Sequence, residues 1–424
     1  MKVKNIFISL LAIVSIGAPL VAGVVEDYSP ENAVYQQVGE SFVGTSVRVL
    51  GMGGAGLGVR GYYDSFLMNP ANLAKSGFKF SFPAVTVTAY NPKAILESGA
   101  IDDFQEGTDS SMVSGAQKFL GTIKLGYGDV LTTDVSTTVT LGSLGLAVQA
   151  QERLMSYKEG ADSLTTNLIA QVTTAATAGL GFRINIIPGS ISIDLGVSAQ
   201  AVYKAYYKAQ TVSSIINMMQ DNTADPGTKF LNETPLIAGY ALPISAGVNV
   251  NLPVGLTVSM VAKNLNGNYT MSTFDSVNDW AEEVLGERLT NDADTDSSSA
   301  PIDANWKIEV PWRMDAGLTW APDIGSLIRP VVAVDVPDVM QMSGLQGEDL
   351  KRAFFEQTRL GLSARLLSLF DFRFGLNQGY KSLGVGFDLL VFHIDAAYYT
   401  QEYGASLGDK PIDALSLRFS LFSR

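Results

Sequence analysis

The stretch LPISAGVNVNL, residues 242–252, lies within an uncharged run, residues 234–262, long enough to cross a bilayer as a helix. Pro235, Pro243 and Pro253 break that run, and Asn249 and Asn251 interrupt its apolar character. Its apolar residues alternate instead: Leu242, Ile244, Ala246, Val248, Val250 and Leu252. A period of two places them on one face of a strand. The same period recurs along the chain. Ile191, Ile193, Leu195 and Val197 oppose Ser192, Asp194 and Ser198. Ile308, Val310, Trp312, Met314, Ala316, Leu318 and Trp320 oppose Lys307, Glu309, Arg313, Asp315 and Thr319. Phe370, Phe372, Phe374 and Leu376 oppose Asp371, Arg373 and Asn377, and Leu415, Leu417, Phe419 and Leu421 oppose Ser416, Arg418 and Ser420.

A soluble β-sandwich would also alternate, so connection length has to separate the two architectures. Short turns at 142–143, 188–189, 253–254, 322–326 and 367–369 alternate with long polar connections near 91–132, 157–174, 207–239, 266–306, 337–355 and 402–413. Two rims of unequal loop length are the mark of a transmembrane barrel whose ends face different compartments. The segments suggest an all-β, antiparallel barrel of about 14 strands, each of roughly ten residues, the length a tilted strand needs to cross hydrocarbon. Closure is required, because an open edge in lipid would leave backbone groups unpaired. Arg153, Arg183, Asp194, Lys204, Glu309, Arg313, Asp315, Arg359, Arg365, Asp371, Arg373, Asp388, Asp395 and Arg418 all fall on the inward face of this pattern. Both signs of charge imply a lumen of paired side chains. Pro243, Pro311 and Pro330 each interrupt an expected strand and mark either a kink or a local bulge.

The 424-residue chain is 17% charged, against roughly 25% in an average soluble domain, and its formal charge is −13. That balance argues against a nucleic-acid partner, because phosphate contacts rely on clustered Lys and Arg. With no Cys and one His, His393, disulfides, thiolate metal sites, a cysteine nucleophile and multi-histidine zinc sites are excluded. No enzymatic activity, metal or cofactor is expected, and His393 reads as a hydrogen-bonded structural residue facing the lumen. Lys2 and Lys4 precede an apolar stretch over residues 6–22 with small residues at Ala22 and Gly23, the plan of a secretory signal peptide over residues 1–23. An uncleaved anchor is the alternative, disfavoured by the short apolar core and Pro19. The expected location is the outer membrane of a diderm bacterium. Residues 24–76 are poor strand material and form an expected hatch, and residues 77–424 form the barrel.

Within the hatch, LGMGGAGLGVRGYYDSFLMNPANLAK (residues 50–75) contains Gly51, Gly53 and Gly56 at dinucleotide-fingerprint spacing. No βαβ unit surrounds them, so the glycines are read as permitting tight packing and positive φ in a compact plug. This stretch, with Asn69-Pro70-Ala71 followed by Leu73 and Ala74, resembles the hatch of the FadL-type long-chain fatty-acid transporter superfamily, which includes secretion-linked and spirochaete barrels. The run GLNQGYKSLGVGFDLLVFHIDAAYYTQEYGASLGD, residues 375–409, is similar to that family's barrel end. The specific motifs cover about 70 residues of the chain. The resemblance implies a hatch folded inside a 14-stranded barrel. Asn69 would then hold the hatch turn by side-chain hydrogen bonds, Pro70 would fix φ, and Ala71 would allow close approach to the wall. In one departure from many such barrels, Phe422 stands third from the end and the chain closes on Arg424.

Two long connections carry amphipathic helix patterns: Val212, Ile215, Ile216 and Met219 with Met218 beside them, and Trp280, Val284 and Leu285 alternating with Asp279, Glu282, Glu283 and Glu287. The resemblance implies that two such loops form a groove that captures a hydrophobic ligand, and Met and Trp suit flexible apolar chains. A loop lid packed on itself is the competing account. Asp292, Asp294 and Asp296 mimic the start of a calcium loop but lack its glycine and its final glutamate, so they read as solvated. The expected function is outer-membrane transport of long-chain fatty acids or other hydrophobic small molecules by loop-groove capture, lumenal binding and hatch gating. The alternative is a barrel that docks or shuttles a secreted or surface protein. Expected partners are the hydrophobic ligand, outer-membrane lipids and the barrel-assembly machinery; the residues leave the oligomeric state, the ligand and the direction of transport open.

Overall fold

A computed structural model describes residues 42, 44, 46–158, 166–207, 210–211, 213, 231–232, 234–289, 300–325, 327–389, 391–404 and 406–421. The expected signal peptide, residues 1–23, lies outside the described residues, as do Val212, Ile215, Ile216, Met218, Met219, Asp292, Asp294, Asp296 and Phe422.

The chain begins with short helices α1 (Val47–Gly51) and α2 (Ser65–Met68) and a 3-10 turn, Pro70–Leu73. Then come strand β1 (Gly77–Tyr90), helices α3 (Pro92–Glu97), α4 (Ala100–Glu106) and α5 (Asp109–Gly121), and strands β2 (Gly126–Gly142), β3 (Leu144–Lys158), β4 (Asn167–Ile187) and β5 (Ile191–Tyr207). Three crossings follow that are each interrupted midway: β6 (Leu236–Ala241, Ile244–Asn251), β7 (Leu256–Leu265, Tyr269–Phe274) and β8 (Asp303–Ile308, Arg313–Trp320). Helix α6 (Val277–Leu285) joins β7 to β8. The barrel finishes with β9 (Ile328–Val336), α7 (Gly347–Gln357), β10 (Arg359–Leu366), β11 (Phe370–Asn377), β12 (Tyr380–Leu389), β13 (Phe392–Glu402) and β14 (Pro411–Leu421). Among the described residues the sheet contains 18 strand segments. Three pairs of these are halves of one crossing, and Gln210–Thr211 only prolongs the edge of β4, which leaves 14 crossings. All pair antiparallel, and β14 returns to β1 with Ala84 opposite Ser420 and Tyr90 opposite Ala414. The molecule is a closed transmembrane antiparallel barrel. No described helix is long and apolar enough to cross a membrane.

Alternation sets the two faces. Val148, Phe182, Phe372, Leu383, Val385, Leu417 and Phe419 are exposed on the outside, whereas Asp194, Asp371, Arg373, Asp395, Ser416, Arg418 and Ser420 are buried within. An apolar exterior around a charged interior is what a wall against hydrocarbon requires. The interior charges pair across the wall: Arg153 with Asp129 at 2.5 Å and Arg183 with Asp194 at 2.6 Å join adjacent strands, and Arg365 with Asp388 and Arg373 with Asp395, both at 2.5 Å, reach over one intervening strand. His393 sits inside and its Nε2 lies 2.7 Å from Asp395.

Three expectations are corrected. Ile308 and Val310 do not share the outer face with Trp312, Leu318 and Trp320; they are buried in an inward cluster, and Glu309, placed in the lumen by the pattern, is exposed. The irregular residues 309–312, with Pro311 among them, separate the halves of β8 and reverse which parity faces inward, because a one-residue slip exchanges the faces of a strand. Pro330 interrupts nothing, since β9 pairs through it opposite Ala364. The long connections are also shorter than expected, with β2 already formed at Gly126, β4 at Asn167 and the second half of β7 reaching Phe274.

The lumen and the segment that fills it

Residues 46–76 run inside the barrel, and local chemistry explains their path. Asn69 is fully buried; its Oδ1 accepts the Ala71 N–H at 3.0 Å, capping the 3-10 turn that Pro70 opens. Its Nδ2 donates to the Leu57 carbonyl at 3.2 Å and to Asn249 Oδ1 at 2.8 Å on β6. Asn249 in turn donates to Asn72 Oδ1 at 2.9 Å, and Asn72 donates to the carbonyls of Leu57 and Ser65. Arg60 reaches Asp194 on β5 at 2.8 Å. The backbone N–H groups of Gly56 and Leu57 donate to Asp335 Oδ2 on β9 at 2.6 and 2.9 Å. Gly53, at φ +65°, adopts a conformation that side chains rarely take, against the backbone of Leu360 and Leu376.

The wall is built to receive this segment. A Cβ on Gly196 would stand 2.2 Å from the Pro70 carbonyl carbon, one on Gly375 2.1 Å from the Gly53 nitrogen, and one on Gly384 2.9 Å from the Gly51 Cα. Gly145, Gly179 and Gly181 make room in the same way for Leu73. These inward glycines and Asn249 escaped the sequence reading. Their only local signal is glycine at every second position of a strand, as at Gly179 and Gly181.

Higher in the segment, Arg48 and Asp64 form a buried pair at 3.0 Å, with Ser46 donating to Asp64 at 2.5 Å and the Arg48 guanidinium 4.1 Å from the Tyr62 ring centre. Burial alone would push the Asp64 carboxyl up; Arg48, the Ser46 hydroxyl and Arg418 outweigh it and hold the group below the usual carboxylate range. Burial likewise pulls Arg48 down, and Asp64 more than offsets it.

Towards the long-loop end the lumen changes character. Met155, Ile169, Val202, Tyr206, Ile237, Tyr269, Met271, Ile308 and Val310 form an inward apolar cluster, with Phe42 packed on it. Lys204 lies 4.4 Å from the Tyr269 ring centre. Beside the cluster is a cavity of about 340 Å³ bordered by Phe42, Tyr63, Gln171, Lys204, Arg313 and Arg359. On its β7–β10 side, Lys263 and Arg313 share Asp315 at 2.9 and 3.4 Å, and Arg359 Nε has no hydrogen-bond partner among the described residues. The interruptions of β6, β7 and β8 fall at one level of the wall: Ile244 stands opposite Leu265, and Tyr269 opposite Ile308. Side chains repair part of the broken ladder, Asn268 Oδ1 accepting the Val310 N–H at 2.9 Å and Asn266 donating to the Leu242 carbonyl at 3.3 Å.

Of the expected loop groove, α6 is described. Ser276 caps it by accepting the Asp279 N–H at 3.0 Å. Trp280 packs with Leu236, Ala238, Phe274, Tyr203, Ala205 and Tyr207, and its indole donates to the Tyr203 hydroxyl at 2.7 Å. These partners point away from the lumen on β5, β6 and β7, so Trp280 is committed to the outer wall. Val284 and Leu285 remain exposed.

The class that this fold and interior define is a 14-crossing transmembrane β-barrel with its N-terminal segment folded into the lumen. No family model and no curated protein matches the sequence. Solved structures of similar fold include a FadL homologue from Pseudomonas aeruginosa, with 13% identity, 90% of this chain and 100% of that chain covered, and a TM-score of 0.42. The monoaromatic hydrocarbon channel CymD is 12% identical, with 89% and 96% covered and a TM-score of 0.43. The toluene transporter TodX of Pseudomonas putida is 10% identical, with 90% and 97% covered and a TM-score of 0.42.

Proposed function

We propose that this barrel resides in the outer membrane of a diderm bacterium and carries hydrophobic small molecules, long-chain fatty acids among them, by binding in the lumen and displacement of the N-terminal segment. The observation that supports this reading is the apolar cluster inside a lumen otherwise lined with charge. A water-filled pore has no use for Met155, Ile237, Tyr269 and Met271 facing inward, whereas an apolar chain needs such a surface. The exposed Val284 and Leu285 of α6, with the loop carrying Val212, Ile215, Ile216, Met218 and Met219, offer the first contact. The apolar part of the ligand then lies along the cluster, and a polar end meets the basic side chains Lys263, Arg313 and Arg359. Residues 46–76 act as the hatch, with Asn69, Pro70 and Ala71 fixing its turn and Gly51, Gly53 and Gly56 its close packing. Release runs past the displaced hatch or through the wall where β6–β8 are interrupted. The step is binding and gating, with no covalent chemistry.

Mass spectrometry of lipids extracted from the protein purified in mild detergent, beside a deletion of residues 24–76, tests this. A long-chain species held by the full chain and lost on deletion is the expected result. A second reading, a barrel that docks a secreted or surface protein, is favoured by Phe354 and Phe355 of α7, both exposed on a helix with no buried residue. An empty barrel that takes up no added fatty acid would transfer the assignment to it.

A further inference from the structure

A second cavity, of about 280 Å³, lies at the opposite, short-turn end of the lumen, between residues 58–60 of the inner segment and the turns that follow β6 and β8. Arg60 and Arg183 both border it, and both are bound to one carboxylate, Asp194: Arg60 Nη1 at 2.8 Å, and Arg183 Nε and Nη2 at 2.6 and 2.8 Å. Asn251 Nδ2 donates a fourth bond to Asp194 at 2.8 Å. Asp194 is fully buried and saturated, while the guanidiniums stay partly open, with about a fifth to a quarter of each side chain exposed. Among the described residues no other ionisable side chain borders the cavity, and two cations against one anion give these groups a net charge of +1. Arg60 is held below the usual guanidinium range by burial and by Arg183, against the pull of Asp194. A second carboxylate would offset the repulsion from Arg183. The rest of the lining is mixed: Asn251, Thr257 and Thr319 are polar, and Val59, Leu256 and Val331 are apolar.

We propose that this cavity is a binding site for a small organic carboxylate, its head on the free N–H groups of Arg60 and Arg183 and its short apolar tail along Val59, Leu256 and Val331. Charge-assisted, fork-shaped donors are what a carboxylate selects. The site does not depend on the transport reading, since it lies at the other mouth of the lumen and needs no gating.

Calorimetric titration of the full chain in nonionic detergent with hexanoate, hexanol and inorganic phosphate tests it. Two variants accompany the wild type: Arg183→Gln and Arg60→Gln, each of which leaves one cation against Asp194 and so cancels the surplus charge of the cavity. Heat-modifiable electrophoretic mobility reports whether each barrel is closed. Saturable hexanoate binding, weakened about tenfold or more in both variants, with hexanol and phosphate weaker in the wild type, supports the assignment. Hexanoate binding that is absent, or unchanged in Arg60→Gln, overturns it. Phosphate binding as tightly as hexanoate removes the role of the apolar wall and overturns the carboxylate assignment.

Discussion

Asp64 shows how single residues hold the inner segment in place. Its carboxyl is depressed, so its contribution is complete above the ordinary carboxylate range, near about pH 4, and is lost as the pH falls below it. Hydrogen exchange of residues 46–67 is therefore expected to accelerate in acid, and Asp64→Asn to remove that acid dependence while exchanging faster throughout. Leaving Arg48 buried without its partner costs about 3 kcal/mol in the seating of the segment. Asn69→Ala strands the Ala71 N–H and removes one of two donors from both the Leu57 carbonyl and Asn249 Oδ1, at about 1–3 kcal/mol; protease cleavage within residues 56–74 should rise in that variant and stay at wild-type level in a surface control such as Lys351→Ala. The residues in these contacts were legible to different degrees. The cap that Asn69 gives to Ala71 is local, and Asn before Pro announces it. Asn69 with Asn249 joins positions 180 residues apart, and no spacing along the chain encodes that.

At the scale of elements, the wall strands carry their own register in their period, which is why 14 crossings could be expected from alternation and loop length. The fold failed to be legible where the period itself breaks. Residues 309–312 of β8 conceal a change of face, so uniform alternation puts Ile308 and Val310 against lipid although they line the lumen. Deleting one residue from 309–312 would restore the uniform alternation and turn Trp306 and Ile308 outward, bringing Asn305 and Lys307 in. The expected outcome is a loss of closed barrel, read as loss of heat-modifiable mobility, whereas a deletion in the short turn at 322–325 should be tolerated. The wall glycines make a second element-level case. A Cβ at Gly196 would meet the Pro70 backbone rather than the end of a flexible side chain, so Gly196→Ala should displace the inner segment instead of repacking around it. Faster exchange across residues 69–74 with the barrel intact is the signature.

For the whole molecule, charge and obstruction act together. The lumen is lined by paired ions, but residues 46–76 occupy it, so the wild type should pass little current in a planar bilayer. Deleting residues 24–76 should open a steady conductance of several times the wild-type value, with Gly196→Ala giving intermittent openings between the two. A deletion that stayed closed would mean that the side chains of the wall fill the lumen unaided. The closing seam between β1 and β14 has one more consequence, for the order of assembly. The inner segment leaves the ribosome before every strand of the wall, yet the surfaces that clasp it, from Leu73 on β3 and β4 to Gly51 on β12, are spread around the ring. Once the last strand pairs with the first, the segment can reach those surfaces only through a mouth of the ring. Seating it before the seam zips shut is the shorter route, and the final pairing event then encloses it.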